Sequence, residues 1–337
     1  MRIALIGCSY HWGCINDLLK ALPEARIVAV APGCAAESLD GFGKAQGVTA
    51  QTRRCADPRV MLDETRPDLV QISTGFEAMG RWAIESAQRR IPIASEKPIA
   101  LDEETLAELW EAVQPNAVPL YAMQGMQGVR PFHAAWEAVR LGKIGIPYAS
   151  YHQKSYRWNT RPAAWKDRRT FPGLVPWVGI HALAWMHWIL GDVFTEVAGW
   201  EGGALHPETP ACATQAGLLF RQRNGGFASL SLDYLRPPSA PTHGDERLRI
   251  AGSNGVVEVV AVEGRCTLIA GPEGARVLEP QGEVADPYLQ FARSLRGECA
   301  PPLQVEDVFR ITELALRAQR AAETGMPVSL LPTRYQG

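Results

Sequence analysis

The strongest constraint on the fold lies in the first 123 residues, where short apolar runs alternate with amphipathic stretches. Arg2-Ile-Ala-Leu-Ile-Gly7 reads as a buried strand from its length, its branched residues and its closing glycine. Residues 14–21 read as a helix and Arg26-Ile-Val-Ala-Val-Ala31 as a second apolar strand, which makes one β-α-β unit. The alternation continues with helices at residues 37–46 and 60–65, a strand at 68–73, a helix at 79–90 and a strand at 92–95. A helix at 102–114, acidic in its first turn, precedes a strand at 119–123. Parallel strands need crossover connections, so this grammar implies a doubly wound parallel sheet. Its ligand crevice lies at the carboxyl ends of the strands.

After about residue 125 the pattern changes. Residues 131–141 read as a helix and residues 147–158 as a long alternating strand. The stretch from Phe171 to Gly191 reads as a Pro/Gly-rich turn running into a helix. Pro176 sits at its mouth, and Trp177, Ile180, His181, Ala184, Trp185 and Trp188 recur at helical spacing. Strands at 196–201, 213–222, 227–234, 247–251, 256–262 and 266–270 then follow without helices between them. Arg223-Asn-Gly-Gly226 and Gly252-Ser-Asn-Gly255 read as hairpin turns. A last amphipathic helix spans residues 305–324. The expected second domain is therefore α+β, with a large, mostly antiparallel open sheet over residues 123–337. Its final helix is expected to pack back on the first domain, residues 1–122.

The bulk numbers narrow the function classes. A length of 337 residues suffices for two cores, and a net charge of -2 leaves no Lys/Arg surplus for nucleic acid or an anionic membrane. No apolar run approaches the roughly 20 residues that span a bilayer. Met1 to Cys8 is too short for a signal peptide and reads as the first strand. Seven cysteines, at 8, 14, 34, 55, 212, 266 and 299, are widely spaced and form no metal-binding pattern. They imply reduced thiols, a cytoplasmic location and no metal.

The turn after the first strand, Gly7-Cys-Ser9-Tyr-His-Trp12-Gly13, carries the first chemical signal. A dinucleotide turn requires a first glycine for the bend, a second for close approach of backbone N–H groups to the pyrophosphate, and a small third residue for helix packing. Here Gly7 is present, Ser9 takes the second place, and Trp12, or Gly13 with an insertion, takes the third. The turn follows a strand and opens a helix, so Gly7, Ser9, Tyr10, His11 and Trp12 are candidate NAD or NADP contacts. The competing reading is an ordinary connecting loop, with His11 a packing or backbone-bonding residue. No acid closes the second strand: Ala31 is followed by Pro32 and Gly33, and Glu37 and Asp40 lie several residues on. No basic residue stands there either, so the choice between NAD and NADP stays open.

Ser95-Glu96-Lys97-Pro98 follows the strand at 92–95, at the carboxyl edge of the sheet. A lysine withdrawn from water at that edge can exchange a proton with a substrate hydroxyl, whereas a lysine in an ordinary turn is merely solvated.

These residues, with the Gly142-Lys-Ile-Gly145 turn before a long strand, Gly179-Ile-His181 on a helix and the closing helix, resemble the Gfo/Idh/MocA oxidoreductases in order and spacing over nearly the whole chain. The resemblance implies a Rossmann-type domain that binds NAD(P). It also implies hydride transfer to or from sugar-like or cyclic polyol substrates, and a homodimer or homotetramer built through the C-terminal sheet. It makes Lys97 the proton relay and His181 the residue that orients the reacting oxygen, with Ser73, Thr74 and Glu96 lining the nicotinamide side.

The chain departs from that pattern in three places. Trp177 stands where an acid usually precedes the histidine by four residues, and Ala184 where another often follows it by three. The histidine common after the fourth-strand turn is replaced within Gly75–Gly80. These losses support an alternative reading, a non-catalytic dinucleotide or sugar sensor that kept the fold.

Five of the ten tryptophans fall at 158, 165, 177, 185 and 188. Trp185 and Trp188 suit a core. Trp158, Trp165 and Trp177, with Tyr156, suit a pocket wall on which a sugar stacks. Arg157, Arg161, Lys166, Arg168 and Arg169 interleave with them. They read either as holders of a carboxylate or phosphate, with Lys166 the substrate candidate, or as a solvated loop.

Overall fold

The computed structural model describes residues 1–44, 47–161, 163–203, 205, 208–209 and 211–335. The chain divides into two compact units, Met1–Met123 with Pro287–Thr312 and Gln124–Asp286 with Glu313–Gly337.

The first unit is built on strands β1 (Arg2–Ile6), β2 (Arg26–Ala31), β3 (Arg53–Arg54), β4 (Leu69–Ile72), β5 (Ile93–Ser95) and β6 (Leu120–Ala122). They form one sheet in the order β3-β2-β1-β4-β5-β6, every pair parallel. The order reverses between β1 and β4, which opens the crevice of a doubly wound sheet at their carboxyl ends. Helices α1 (Ile15–Ala21), α2 (Pro58–Thr65), α3 (Phe76–Gln88) and α4 (Glu103–Val113) make the crossovers. Ile3, Leu5, Ile6, Val30, Leu69, Val70, Ile72 and Ile93 are all buried, as strands covered on both faces require. Local chemistry fixes the helix starts. The Asp57 side chain accepts from Arg59 N and that of Asp102 from Thr105 N at 2.7 Å, caps worth about 1 kcal/mol each.

The helix expected over 37–46 is instead a 3₁₀ stretch, Leu39–Lys44, with residues 45 and 46 outside the described residues. Gly41 and Gly43 withdraw helix propensity there, and a side chain at Gly41 would meet Cys8 Sγ at 2.5 Å.

The second unit carries α5 (Arg130–Arg140), β7 (Pro147–Arg157), α6 (Ile180–Leu190), β8 (Phe194–Gly202), β9 (Gln215–Gln222), β10 (Phe227–Arg236), β11 (Gly244–Gly252), β12 (Gly255–Val260), β13 (Arg265–Ala270) and β14 (Ala275–Leu278). Chain order then gives α7 (Pro287–Ser294), α8 (Val305–Thr324) and β15 (Val328–Ser329). Helix α7 belongs to the first unit, where Tyr288 and Phe291 stack on Tyr121 at 5.8 and 5.5 Å and Tyr288 OH donates to Gln71 at 2.9 Å. Helix α8 belongs to the first unit through Thr312 and to the second from Glu313.

The nine-stranded sheet of the second unit runs β14-β13-β12-β11-β7-β10-β9-β8-β15 and is antiparallel except where β7 meets β10. Alternation along β9 and β10 sends Ala216, Leu218, Phe220, Ala228, Leu230 and Leu232 inward. Tyr151, Leu219 and Trp200 are left exposed. Phe132 of α5 packs on Trp185 of α6 at 4.7 Å, and Trp136 stacks on Trp188 at 5.1 Å. The approach to α6 is a single π-turn, Val175–Gly179, with Pro176 in its first turn, where no N–H is needed. Gly179 lets this turn approach the sheet, since a Cβ there would lie 2.6 Å from Leu232.

Candidate functional site

In the first unit the turn after β1 is built for close approach. Gly7 has φ +84°, and a Cβ on it would lie 2.4 Å from Ser73 O. Gly7 N donates to Ala31 O and Ser9 N to Ser73 O, both at 2.9 Å, so the ends of β1, β2 and β4 are tied together. Gly33, just beyond β2, is held between Trp82 Nε1, which donates to its carbonyl at 2.7 Å, and a carboxylate that accepts its N–H.

That carboxylate is Glu37. Its Oε1 accepts from Cys8 N at 3.2 Å and Ser9 Oγ at 2.5 Å, and its Oε2 from Gly33 N at 2.8 Å and Thr74 Oγ1 at 2.9 Å. The acid missing from the end of the second strand is thus returned to the crevice from six residues further on. Sequence reasoning left Glu37 aside, and only its place four residues after Gly33 hinted at the return.

Tyr10, at φ 53°, stacks on Phe76 at 4.4 Å. Burial, with the charges of Glu77 and Glu96, pushes its phenol up, so it stays neutral. Trp12 meets Phe42 edge-on at 6.1 Å, and its carbonyl accepts from Gln71 Nε2. Ser73 Oγ is buried with no hydrogen-bond partner among the described residues. An orphaned hydroxyl, a close-approach glycine and a carboxylate able to accept from ribose hydroxyls form a donor and acceptor set that suits a dinucleotide.

One residue beyond β5 lies the second cluster. Glu96 is fully buried, and its Oε2 accepts from His11 Nδ1 at 2.7 Å and His11 N at 3.2 Å. Its Oε1 accepts from Lys97 N at 2.9 Å and faces Lys97 Nζ at 4.0 Å. Burial opposes ionisation of Glu96, but the His11 hydrogen bond and the Lys97 charge outweigh it and hold the group below the usual carboxylate range. An ionised carboxylate accepts, so the proton rests on His11 Nδ1. Lys97 is itself 1% exposed, whereas the His11 side chain is 61% exposed. The structure therefore joins His11 of the first turn to the Glu96-Lys97 pair, which the sequence named apart from it.

In the second unit His181 lies in the first turn of α6, half-buried, and its Nδ1 donates to Gln124 O at 2.7 Å. This bond fixes the ring orientation. The amide of Gln124 is itself buried with no hydrogen-bond partner among the described residues.

One helical turn earlier, Trp177 meets Trp165 edge-on at 6.0 Å. Trp165 stacks on Phe171 at 4.2 Å and lies 6.1 Å from Trp158. Tyr234 joins the group at 5.1 Å from Trp158 and 6.5 Å from Tyr156, and burial pushes its phenol well up. Tyr156, Trp158, Trp165 and Trp177 are thus brought into one aromatic cluster, and Lys166 is exposed. Trp185 and Trp188 are taken up by packing, Trp185 donating to His152 Nδ1 at 3.0 Å. Tyr234 was not singled out from sequence, although it sits at an inward position of an alternating strand.

The family model described as "Oxidoreductase family, C-terminal alpha/beta domain" matches residues 136–330. A solved structure from Thermotoga maritima, a candidate oxidoreductase, is 35% identical. It superposes with a TM-score of 0.86, covering 98% of this chain and 100% of that one. Inositol 2-dehydrogenase 2 of Saccharopolyspora erythraea is 24% identical over 197 residues, 57% of this chain and 54% of that protein. The match therefore spans about half the length of that curated relative. Levoglucosan dehydrogenase, solved with NADH, is 14% identical. It shares the fold, with a TM-score of 0.83 over 98% of this chain and 99% of that one.

Proposed function

Because the chain belongs to the Gfo/Idh/MocA oxidoreductase family, we propose that it is an NAD-dependent dehydrogenase or reductase acting on a sugar-like or cyclic polyol substrate. The observation that carries this reading is the buried Lys97 beside an ionised Glu96 at the carboxyl end of β5. The NADH held by levoglucosan dehydrogenase and the name of the inositol dehydrogenase relative support it.

Gly7, Ser9, Tyr10, Ser73 and Thr74 are the residues that would hold the cofactor, with Glu37 toward the adenosine ribose. A carboxylate there favours NAD, since it accepts from a ribose hydroxyl and repels a phosphorylated one. When bound, the cofactor supplies or takes up the hydride. The chain's own residues do the rest. As an ammonium beside ionised Glu96, Lys97 Nζ gives a proton to the substrate oxygen in reduction; in oxidation the same nitrogen acts from its neutral amine form and takes that proton from the substrate hydroxyl. Glu96 keeps the lysine in place, and His11 holds Glu96 through two N–H groups on one oxygen. His181, its ring fixed by Gln124 O, orients the reacting oxygen.

Replacing Lys97 with Met tests the assignment. Turnover should fall by at least a thousandfold, on the order of what losing general acid–base help costs, while tryptophan quenching by NADH persists. A variant with undiminished turnover refutes it. The non-catalytic alternative is favoured by Trp177 in place of an acid, and NADH binding without turnover across a panel of sugars and inositols would support it.

Two further readings complete the proposal. The exposed face of the second unit's sheet carries Trp200, Leu219, Tyr151 and Phe227, which suits a second copy of the chain in a homodimer or homotetramer. Seven free cysteines fit the reducing cytoplasm, and no helix among the described residues is long and apolar enough to cross a membrane.

A further inference from the structure

We infer that the substrate is a sugar acid, whose carboxylate is held by Arg161 against the Trp158, Trp165 and Tyr234 rings, with the charge of Arg157 adding to the positive field there. This deepens the oxidoreductase reading and rests on it.

The guanidinium of Arg161 lies 5.4 Å from the Trp158 ring centre, 4.8 Å from that of Trp165 and 4.5 Å from that of Tyr234. One of its terminal nitrogens donates to Arg157 O at 2.9 Å. Two N–H groups of this cluster, Arg161 Nε and Trp165 Nε1, are buried without a hydrogen-bond partner among the described residues, as is Arg157 Nε at the end of β7. Folded proteins leave few buried donors unmet, so the two at Arg161 and Trp165, whose guanidinium and ring centre lie 4.8 Å apart, mark a place where an acceptor belongs.

The charges agree with the donors. Lys154 is matched by Glu246 at 3.0 Å, and Arg236 and Arg247 share Asp245 at 3.4 and 2.8 Å. Arg157 and Arg161 have no ion pair among the described residues. Their field reaches His243: burial lowers its imidazole first, and Arg161, Arg157 and Lys154 add to the effect against the opposing Glu246. The surplus charge at this wall is positive.

The wall is also close in sequence and space to the residue proposed to orient the reacting oxygen. Trp177, 6.0 Å from Trp165, precedes His181 by one helical turn. It stands where the resemblance leads one to expect an acid. An acid there would repel an anionic substrate, and a tryptophan does not. Flat rings stack on the C–H face of a sugar, and a guanidinium fork fits a two-oxygen carboxylate. A neutral polyol could use the rings but would leave the two positive charges uncompensated.

The test compares D-glucuronate with its neutral isostere D-glucuronamide, with D-gluconate, D-glucose and D-glucose 6-phosphate as further arms. Affinities are read by calorimetry on the whole protein, with and without NADH. The acids should bind at least tenfold more tightly than glucuronamide and glucose. Arg161→Gln should erase that margin and Arg157→Gln should narrow it, both leaving NADH quenching unchanged. Using the two isosteric ligands on the unaltered protein keeps the result independent of how well the variants fold. Equal affinity for glucuronate and glucuronamide, with NADH binding intact, overturns this inference alone. Tighter binding of glucose 6-phosphate than of either acid overturns the carboxylate assignment. Absence of both NADH binding and turnover overturns the oxidoreductase reading instead.

Discussion

His152 makes the second unit sensitive to acid, by an amount the structure allows to be worked out. The residue lies on β7, 4% exposed, and its Nδ1 accepts the indole N–H of Trp185 at 3.0 Å. The other ring nitrogen is buried with no hydrogen-bond partner among the described residues. A second proton would have to enter at Nδ1, where it would face the Trp185 N–H donor for donor. Burial accordingly pushes the imidazole from its usual 6.5 down to about 3. The unfolded chain takes up this proton near its ordinary value, and the folded chain takes it up only in much stronger acid. The stability that neutral His152 contributes is therefore complete above pH 6.5 and is lost as pH falls from there toward 3. Integrated from about pH 7 to about pH 4.5, the loss is ~2.5 kcal/mol. Urea unfolding of the wild type and of His152→Gln at both pH values isolates this contribution. Glutamine retains an acceptor for Trp185, and any fixed cost of the substitution cancels in the double difference. The wild type should lose ~2.5 kcal/mol more than the variant between the two pH values. A double difference below about 0.5 kcal/mol, the usual scatter for independent sites, would show that the buried imidazole is not the proton acceptor described.

Three further outcomes are expected. Glu37→Gln leaves one acceptor oxygen where four donors converge on two. Unfolding free energy should fall by about 1–3 kcal/mol, and the NADH over NADPH preference in quenching titrations should narrow, an unchanged ratio counting against the ribose role of Glu37. Gly7→Ala places a methyl 2.4 Å from Ser73 O at φ +84°; calorimetry should show at least about 1–3 kcal/mol of lost stability, together with weakened NADH binding, and a wild-type melting curve would refute the close approach. The proposed homo-oligomer predicts that Leu219→Arg, on the exposed sheet face and 51% exposed, sediments as a monomer where the unaltered chain sediments as a larger species, with its fold unaltered. An unchanged sedimentation coefficient would refute an interface on this face.

The first unit was legible wherever periodicity alone decides structure. Runs such as Arg26–Ala31 are too short and too branched to be anything but buried strands, and the helix assigned to residues 14–21 is observed at Ile15–Ala21. What escaped was set by contacts distant in sequence. The strand Arg53–Arg54 is two exposed arginines that pair only because β2 presents its edge. Helix α7 owes its place to Tyr288 and Phe291 against Tyr121, residues more than 160 positions away. Glu37 escaped for the same reason: its donors sit 28 and 29 positions back, at Ser9 and Cys8, and no local pattern announces them. Lys97 and His181 were readable through their motifs. The pairing of His11 with Glu96 was not, because it joins the first turn to the end of β5, 85 residues apart.

The two clusters differ in a way that separates framework from binding surface. Around Glu96 the N–H groups of His11 and Lys97 have a charged acceptor within hydrogen-bond reach, so that group is complete in the protein as it stands and serves to hold Lys97 in place. Around Arg157, Arg161 and Trp165 the N–H groups outnumber their acceptors. A buried N–H without a partner costs about 1–3 kcal/mol, and a fold has no reason to retain such costs at neighbouring Arg161 and Trp165 unless something relieves them. Water could supply hydrogen bonds but not the negative charge that two unmatched guanidinium groups call for. On the sugar-acid proposal the anionic oxygen comes with the substrate. Trp177 then becomes intelligible one helical turn before His181: an acid at that position would compete for the same guanidinium groups and leave the substrate carboxylate without its partners.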